Sequence, residues 1–233
     1  MTARQVGARA VIPLFPLGTV LVPGFVLPLH VFEPRYRQLL TDLQERPADD
    51  RGFGVVAIRE GHEVGDTGAL ALHEVGTLAL VRSVTPYPDG RSDVVTNGDA
   101  RFRLHGLVDT GAPYLCGEAE WLDEPDGADP AEVAVTAQAV VRRFDDYRAA
   151  VADTGAVEAA HMLELPEDSR TLSYLVAVAM VLDLRERQAL LEAGSTLARL
   201  RHELALLGRE TGLVRELPSL PAIDLARTPS GLN

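Results

Sequence analysis

Val11-Ile12-Pro13-Leu14-Phe15-Pro16-Leu17-Gly18-Thr19-Val20-Leu21-Val22-Pro23-Gly24-Phe25-Val26-Leu27-Pro28-Leu29-His30-Val31-Phe32-Glu33-Pro34-Arg35-Tyr36 is the stretch that decides the fold. Its apolar runs, Val11 to Phe15, Val20 to Val22 and Phe25 to Phe32, are broken by Pro13, Pro16, Pro23, Gly24 and Pro28. Proline cannot donate to a strand ladder and is costly inside a helix, so these pieces read as short, kinked or edge strands. Pro34 then presets a first helical turn, and Tyr36, Leu39, Leu40 and Leu43 recur at helical spacing over Arg35 to Glu45. One short helix is therefore expected to lie on a β structure.

Working outward, strands are expected at Phe53 to Arg59, Thr77 to Thr85, Ser92 to Thr96, Arg101 to Val108 and Leu115 to Trp121. Turn clusters separate them, among them Pro86-Tyr87-Pro88-Asp89-Gly90 and Asn97-Gly98-Asp99. Short strands with tight turns suggest a small barrel or sandwich. Leu122 to Asp129 reads as a linker, after which the period changes to 3.6. Asp129-Pro130-Ala131-Glu132 opens a long amphipathic helix whose face is Val133, Ala137, Val140, Val141, Phe144, Tyr147 and Val151. Asp168 to Leu182 is apolar nearly all round, Asp183 with Glu186 forms a capping box, and Leu197, Leu200, Leu204 and Leu207 mark a last helix. The expectation is an α+β chain: a β domain over residues 1–122, a helical bundle over 123–216 and an extended tail over 217–233, where Leu217, Leu220 and Ile223 could dock.

With 233 residues, 46% of them hydrophobic, a core can be buried without staples. A lone Cys116 excludes an internal disulfide and a cysteine zinc site, and reads as a buried small hydrophobe. The longest apolar stretch, Thr171 to Leu182, is short of the roughly 20 residues a membrane span needs, and the N-terminus has no secretory pattern, so cytoplasmic residence without membrane association is expected. All 22 basic residues are arginine. The absence of lysine excludes a P-loop lysine, a Schiff-base lysine and a Ser-Lys peptidase dyad, whose chemistry a guanidinium cannot supply. The net charge of −12 is spread over both halves and argues against a nucleic-acid partner, which a basic surface would neutralise.

Catalytic patterns fail one after another. Gly52-Phe53-Gly54-Val55-Val56-Ala57 matches a loose dinucleotide string but opens a strand rather than a helix. His62-Glu63, His73-Glu74 and His202-Glu203 each lack a second histidine one helical turn on, and His161 likewise has no ligand partner. Ser195 fits a helix N-cap better than a nucleophile elbow, and Asp145-Asp146 point to different sides of a helix. No catalytic residue, metal or cofactor is expected.

The opening run, with Leu27-Pro28-Leu29-His30-Val31-Phe32-Glu33-Pro34-Arg35-Tyr36 at its end, is similar to the start of the Lon protease N-terminal domain. Glu74-Val75-Gly76-Thr77, Pro88-Asp89-Gly90 and Arg101-Phe102-Arg103-Leu104 follow in that family's order, and Leu182-Asp183-Leu184 through Arg187-Gln188-Ala189-Leu190-Leu191-Glu192 resembles its later helical segment. The resemblance implies a PUA-like β pseudo-barrel followed by helices. It also implies a stand-alone, non-catalytic module that binds unfolded or extended protein segments, with a separate ATP-dependent protease as a potential partner. Candidate contacts are Phe32, Arg35, Tyr36, Arg37 and Tyr87 around a groove beside the short helix, with Phe25, Val26 and Tyr114 as further apolar positions. His30, Glu33, Arg35 and Tyr36 read first as an architectural cluster at a strand-to-helix junction, with the groove as the functional alternative, and Asp99, Arg101 and Arg103 read as a solvated or structural ion pair. The alternative is a PUA-like barrel that binds RNA or a small molecule, which requires a local Arg-lined concavity.

Overall fold

The structure, a computed structural model, describes residues 4–60, 71–153 and 164–216. It has the expected α+β architecture, a mixed β-barrel carrying one short helix and, later in the chain, a helical part. Two compact units are formed, Met1–Glu124 with Leu182–Glu192, and Pro125–Val181 with Ala193–Asn233. His62-Glu63, His161 and the 217–233 tail lie outside the described residues.

The first unit holds β1 (Arg9–Leu17), β2 (Val26–Val31), α1 (Pro34–Gln44), β3 (Gly52–Glu60), β4 (Ala71–Leu72), β5 (Val75–Pro86), β6 (Ser92–Val108), β7 (Cys116–Trp121) and α4 (Leu184–Glu192). The strand order is β1-β7-β6-β5-β3-β4, and a further parallel pairing of β1 with β3 closes the sheet on itself. β1 achieves closure by changing partner: Arg9 to Pro13 pair with β7 and Leu14 to Leu17 with β3. Two prolines are tolerated in this strand because each half of it is paired along one side only, so the N–H that proline lacks can be one directed to the unpaired side. β2 stands outside the closed ring, paired to the first half of β6.

β6 departs from expectation. Ser92 to Thr96 and Arg101 to Val108 are one strand, not two strands separated by a turn at Asn97-Gly98-Asp99. Gly98 is there for close approach rather than for turning. Gly24 N–H donates to its carbonyl at 2.9 Å, its own N–H donates to the Phe25 carbonyl at 2.8 Å, and a Cβ would collide with the Val22 carbonyl. The segment expected as a strand at Val20 to Val22 is instead irregular chain crossing this point, its Leu21 carbonyl held by Thr77 Oγ1 at 2.6 Å.

Two apolar clusters fill the unit. One joins Phe15, Val31, Phe53 and Val55 to Tyr36, Leu39, Leu40 and Leu43 of α1, the face that the helical spacing marks. The other gathers Ile12, Leu14, Val56, Leu78, Phe102, Ala119 and Trp121. α4 joins the same unit through two polar fasteners. Arg101, 2% exposed on β6, donates from Nη1 to the Leu191 carbonyl at 2.6 Å and from Nη2 to the Asp123 carbonyl at 2.9 Å, and it pairs with Glu124. Gln188 donates to the Val75 carbonyl at 2.9 Å. The Asp183/Glu186 capping box forms, with Glu186 N–H on Asp183 Oδ1 at 2.8 Å.

The second unit packs α2 (Pro130–Asp153), α3 (Ser169–Ala179) and α5 (Thr196–Glu216) together. Val133, Ala137, Val140, Phe144 and Tyr147 of α2 are buried as the periodicity requires. Asp168 caps α3 through Thr171 N–H at 2.8 Å, and Ser195 accepts from Ala198 N–H at 3.1 Å, as its N-cap reading requires. The α5 seam also carries charge. Arg199 and Glu203, both fully buried, flank Leu200 one turn apart. Arg199 donates to Ser173 Oγ at 2.9 Å and Tyr174 Oη at 2.7 Å, its guanidinium 3.7 Å from the Tyr174 ring centroid.

Replacing Arg101 by leucine strips three acceptors of their donor and leaves Glu124 without its cation. A loss of about 3–5 kcal/mol in urea unfolding is expected, with Arg101→Lys recovering only part because an ammonium cannot span three divergent acceptors. Burial also pushes the Glu203 carboxyl well above its ordinary 4.5, with Arg199 pulling partly back. A raised carboxyl pKa contributes stability below the unfolded value that is lost as pH rises toward the folded one. Melting temperature is therefore expected to decline from about pH 4.5 upward through this group, and Glu203→Gln is expected to flatten that slope in pH-dependent thermal melts.

Candidate functional site

β2 has a regular alternation. Leu27, Leu29 and Val31 face the core, while Val26, Pro28 and His30 face outward, and Phe32 continues the outward row. The ladder register, Val26 opposite Asn97 through Val31 opposite Ser92, extends to Phe25, whose carbonyl accepts from Gly98 N–H. Since antiparallel pairs alternate between bonded and non-bonded, Phe25, Leu27, Leu29 and Val31 direct their backbone groups to β6. Val26, Pro28 and His30 direct theirs away from it. The missing N–H of Pro28 is thus not one that β6 would use. Among the described residues β6 is the strand partner of β2, so the other edge of β2 carries N–H and C=O groups outside the ladder.

That edge borders a cavity of about 200 Å³ lined by Phe15, Pro16 and Leu17 of β1, Pro28 to Val31 of β2, and Phe32, Glu33 and Tyr36. Consecutive residues of both strands line it, and consecutive residues point to opposite faces. The cavity therefore opens between the two backbone edges, as a slot.

Beside the slot is a polar and aromatic group. Asp93, opposite His30 in the ladder, accepts from His30 Nδ1 at 2.7 Å and from Tyr87 Oη at 2.5 Å. These two hydrogen bonds, His30 first, hold the Asp93 carboxyl below the ordinary carboxylate range, and the same carboxylate pushes the Tyr87 hydroxyl up. An ionised carboxylate only accepts, so Nδ1 of His30 carries the proton in this pair. The His30 ring lies 5.9 Å from Tyr87 and 6.4 Å from Phe32. Phe32 is 49% exposed and Tyr87 40%. Tyr87 is placed by its turn, in which its N–H bonds the Arg91 carbonyl at 2.8 Å and Gly90 takes φ +84°.

The five candidate contacts separate by depth. Phe32 and Tyr87 present rings at the surface, and Arg37 is exposed with its guanidinium against Gly90. Tyr36 is 3% exposed, stacked on Phe15 at 3.9 Å, and lies at the floor of the slot as part of the core. Arg35 lies over the Tyr36 ring at 4.7 Å and pairs with Glu33 at 2.8 Å, so its cation is engaged. Of the further apolar positions, Val26 is exposed and Phe25 half-buried, while Tyr114 donates to Asp42 at 2.7 Å and its hydroxyl is pushed up to about 12 by burial and that bond. Asp99 pairs with Arg4, and Arg103 is exposed. Asp93 is the residue that sequence reasoning missed: only the β2–β6 register brings it to His30, 63 positions away. Among the described residues no group of three or more potential metal ligands converges, and no helix is long and apolar enough to cross a membrane.

The fold is similar to that of solved Lon N-terminal domains. Solved relatives include the Lon N-terminal domain protein from Xanthomonas campestris, 25% identical with a TM-score of 0.58 over 84% of this chain and 98% of that one. The N-terminal domain of the Mycobacterium avium complex Lon protease, 17% identical with a TM-score of 0.59 over 87% of this chain and 98% of that one, shares the fold. The chain belongs to the ATP-dependent protease La (LON) substrate-binding domain family, whose model matches residues 11–209. It is 29% identical to Lon protease 2 of Myxococcus xanthus and 30% identical to the Lon protease of Anaeromyxobacter dehalogenans, in each case over 88% of this chain. It spans 24% of the length of each of these two relatives.

The depth difference has a measurable consequence. Tyr36→Ala is expected to cost about 3–5 kcal/mol in chemical denaturation, as an aromatic core deletion does. Phe32→Ala is expected to stay within about 0.5 kcal/mol of the parent, because its ring is half in solvent.

Proposed function

We propose that this chain is a non-catalytic recognition module that holds unfolded or extended protein segments, at the face formed by the β2 edge, the slot and the rings of Phe32 and Tyr87. The observation that carries this reading is the pair of large exposed rings flanking an apolar slot on a strand edge, in a chain of the Lon substrate-binding family. Exposed aromatic groups around a concavity supply apolar area with few rotors to immobilise, and a strand edge supplies main-chain bonds that do not depend on sequence. A module of this kind suits clients defined by being unfolded rather than by one motif. Its role is delivery: an ATP-dependent protease acts on what the module retains, and the chain itself performs no covalent step.

Arg37 lies beyond Phe32 along α1 and is placed to meet client carboxylates or carbonyls, while Tyr36 shapes the slot from beneath. Binding of reduced, carboxymethylated lysozyme and of the native protein, followed by fluorescence anisotropy, tests the reading. The unfolded form is expected to bind and the native form not. Phe32→Ala combined with Tyr87→Ala is expected to weaken binding about tenfold or more, the scale of losing interface anchors. Equal binding of both forms, or none of either, would remove the reading.

A further inference from the structure

The recognition face carries a charge pattern that selects among extended segments. Near the slot, the guanidiniums of Arg35 and Arg91 are engaged, Arg35 by Glu33 at 2.8 Å and Arg91 by Asp89 at 2.7 Å, while the exposed Arg37 stands on α1 against Gly90. Asp93 has different company. Its two oxygens accept from His30 and Tyr87, its side chain is 49% exposed, and each oxygen retains acceptor capacity toward solvent. The rings of His30 and Tyr87 adjoin it, and that of Phe32 lies 6.4 Å beyond His30. A carboxylate with aromatic faces beside it is complementary to an ammonium or guanidinium, through charge-assisted hydrogen bonds and attraction to the ring faces. The chain's net charge of −12 acts in the same direction at longer range.

The slot fixes where such a cation would come from. A segment lying along the β2 edge finds the backbone groups of Val26, Pro28 and His30 directed toward it, and its side chains alternate between slot and solvent. An outward side chain opposite His30 lies about two strand spacings, roughly 10 Å, from Asp93. Lysine and arginine are the side chains long enough to cross His30 and meet a carboxylate that itself projects from β6.

We infer that the site takes an extended polypeptide as an added strand beside β2, with an apolar side chain in the slot between Pro16 and Phe32 and a neighbouring basic side chain on Asp93. This rests on the recognition reading above and adds a substrate class to it: segments in which apolar and basic residues adjoin. Asp93 is then a specificity-determining residue, with Tyr87 and His30 positioning its carboxylate.

Short valine- and threonine-alternating peptides with a central lysine, norleucine or glutamate test this by anisotropy at low and moderate salt. Against the parent chain, lysine is expected to bind about fivefold or more tightly than norleucine, with glutamate weakest, and salt is expected to narrow the gap. Asp93→Asn is expected to abolish the lysine preference while leaving norleucine affinity nearly unchanged. Asp89→Asn, at an acid already engaged by Arg91, is expected to keep the preference. Methylating alternate backbone amides along one edge of the lysine peptide is expected to abolish binding, and methylating those of the other edge to leave it. Circular dichroism of each variant confirms folding. Equal binding of lysine and norleucine peptides, or a preference that survives Asp93→Asn, would overturn the basic-residue inference while leaving the recognition reading standing. Indifference to both methylation patterns would overturn strand addition. Failure of every peptide to bind would overturn the inference together with the recognition reading.

Discussion

The buried guanidinium of Arg101 is the interaction on which the first unit turns. A charged group at 2% exposure is tolerable only when its donors are satisfied, and here they are met from two places far apart in sequence: Leu191, and the adjacent Asp123 and Glu124. The requirement runs in both directions. β6 needs α4 and the segment after β7 to satisfy Arg101, and those segments gain their position from it. Arginine suits the task because its planar fork addresses several acceptors at once, which an ammonium of similar charge does not. The second unit has a parallel in Arg199, which is likewise enclosed and bonded to Ser173 and Tyr174.

Barrel closure and site formation have one origin. β1 exchanges β7 for β3 at its middle, and Phe15, Pro16 and Leu17, which follow the exchange, also form one wall of the slot. β2 is left outside the ring and supplies the other wall. Had the two edges paired, there would be neither a slot nor free backbone groups. The prolines at 16 and 28 discourage such pairing, since neither can donate. Open edges are a hazard for aggregation, and natural sheets protect them with prolines, short length and nearby charge. This edge has all three.

Much of this was legible in the sequence for a physical reason. The α1 face, the α2 face, the caps at Asp183 and Ser195 and the strand character of the proline-rich opening are local properties, set by spacing and by residue chemistry within one turn or one strand. What escaped depended on register or on crossing segments. Asn97-Gly98 has the residue pattern of a hairpin turn, and only the passage of Val22 over Gly98 explains a glycine in continuous strand. Asp93 joined no pattern because its partner His30 belongs to another strand. Arg199 and Glu203 joined no pattern, although their spacing from Thr196, Leu200 and Leu207 places them on the buried side of α5. Arg101 was legible as an ion-pairing residue but not as the fastener of α4, because its acceptors are mostly backbone carbonyls.

The placement of α4 with the β-strands makes the first unit discontinuous in sequence, with residues 125–181 intervening. During synthesis the barrel strands leave the ribosome well before the helix whose Leu191 carbonyl accepts from Arg101 and whose Gln188 donates to Val75. At about 5–20 residues per second, the delay before residue 192 appears is several seconds, long beside the microseconds to milliseconds of helix formation and collapse. For that interval Arg101 has its Asp123 and Glu124 partners but lacks the Leu191 carbonyl, and the Val75 carbonyl lacks Gln188. The chain is thus committed to completing its first-made part only after α2 and α3 have been made, and a ribosome-stalled fragment ending after β7 would be a poor surrogate for the finished unit.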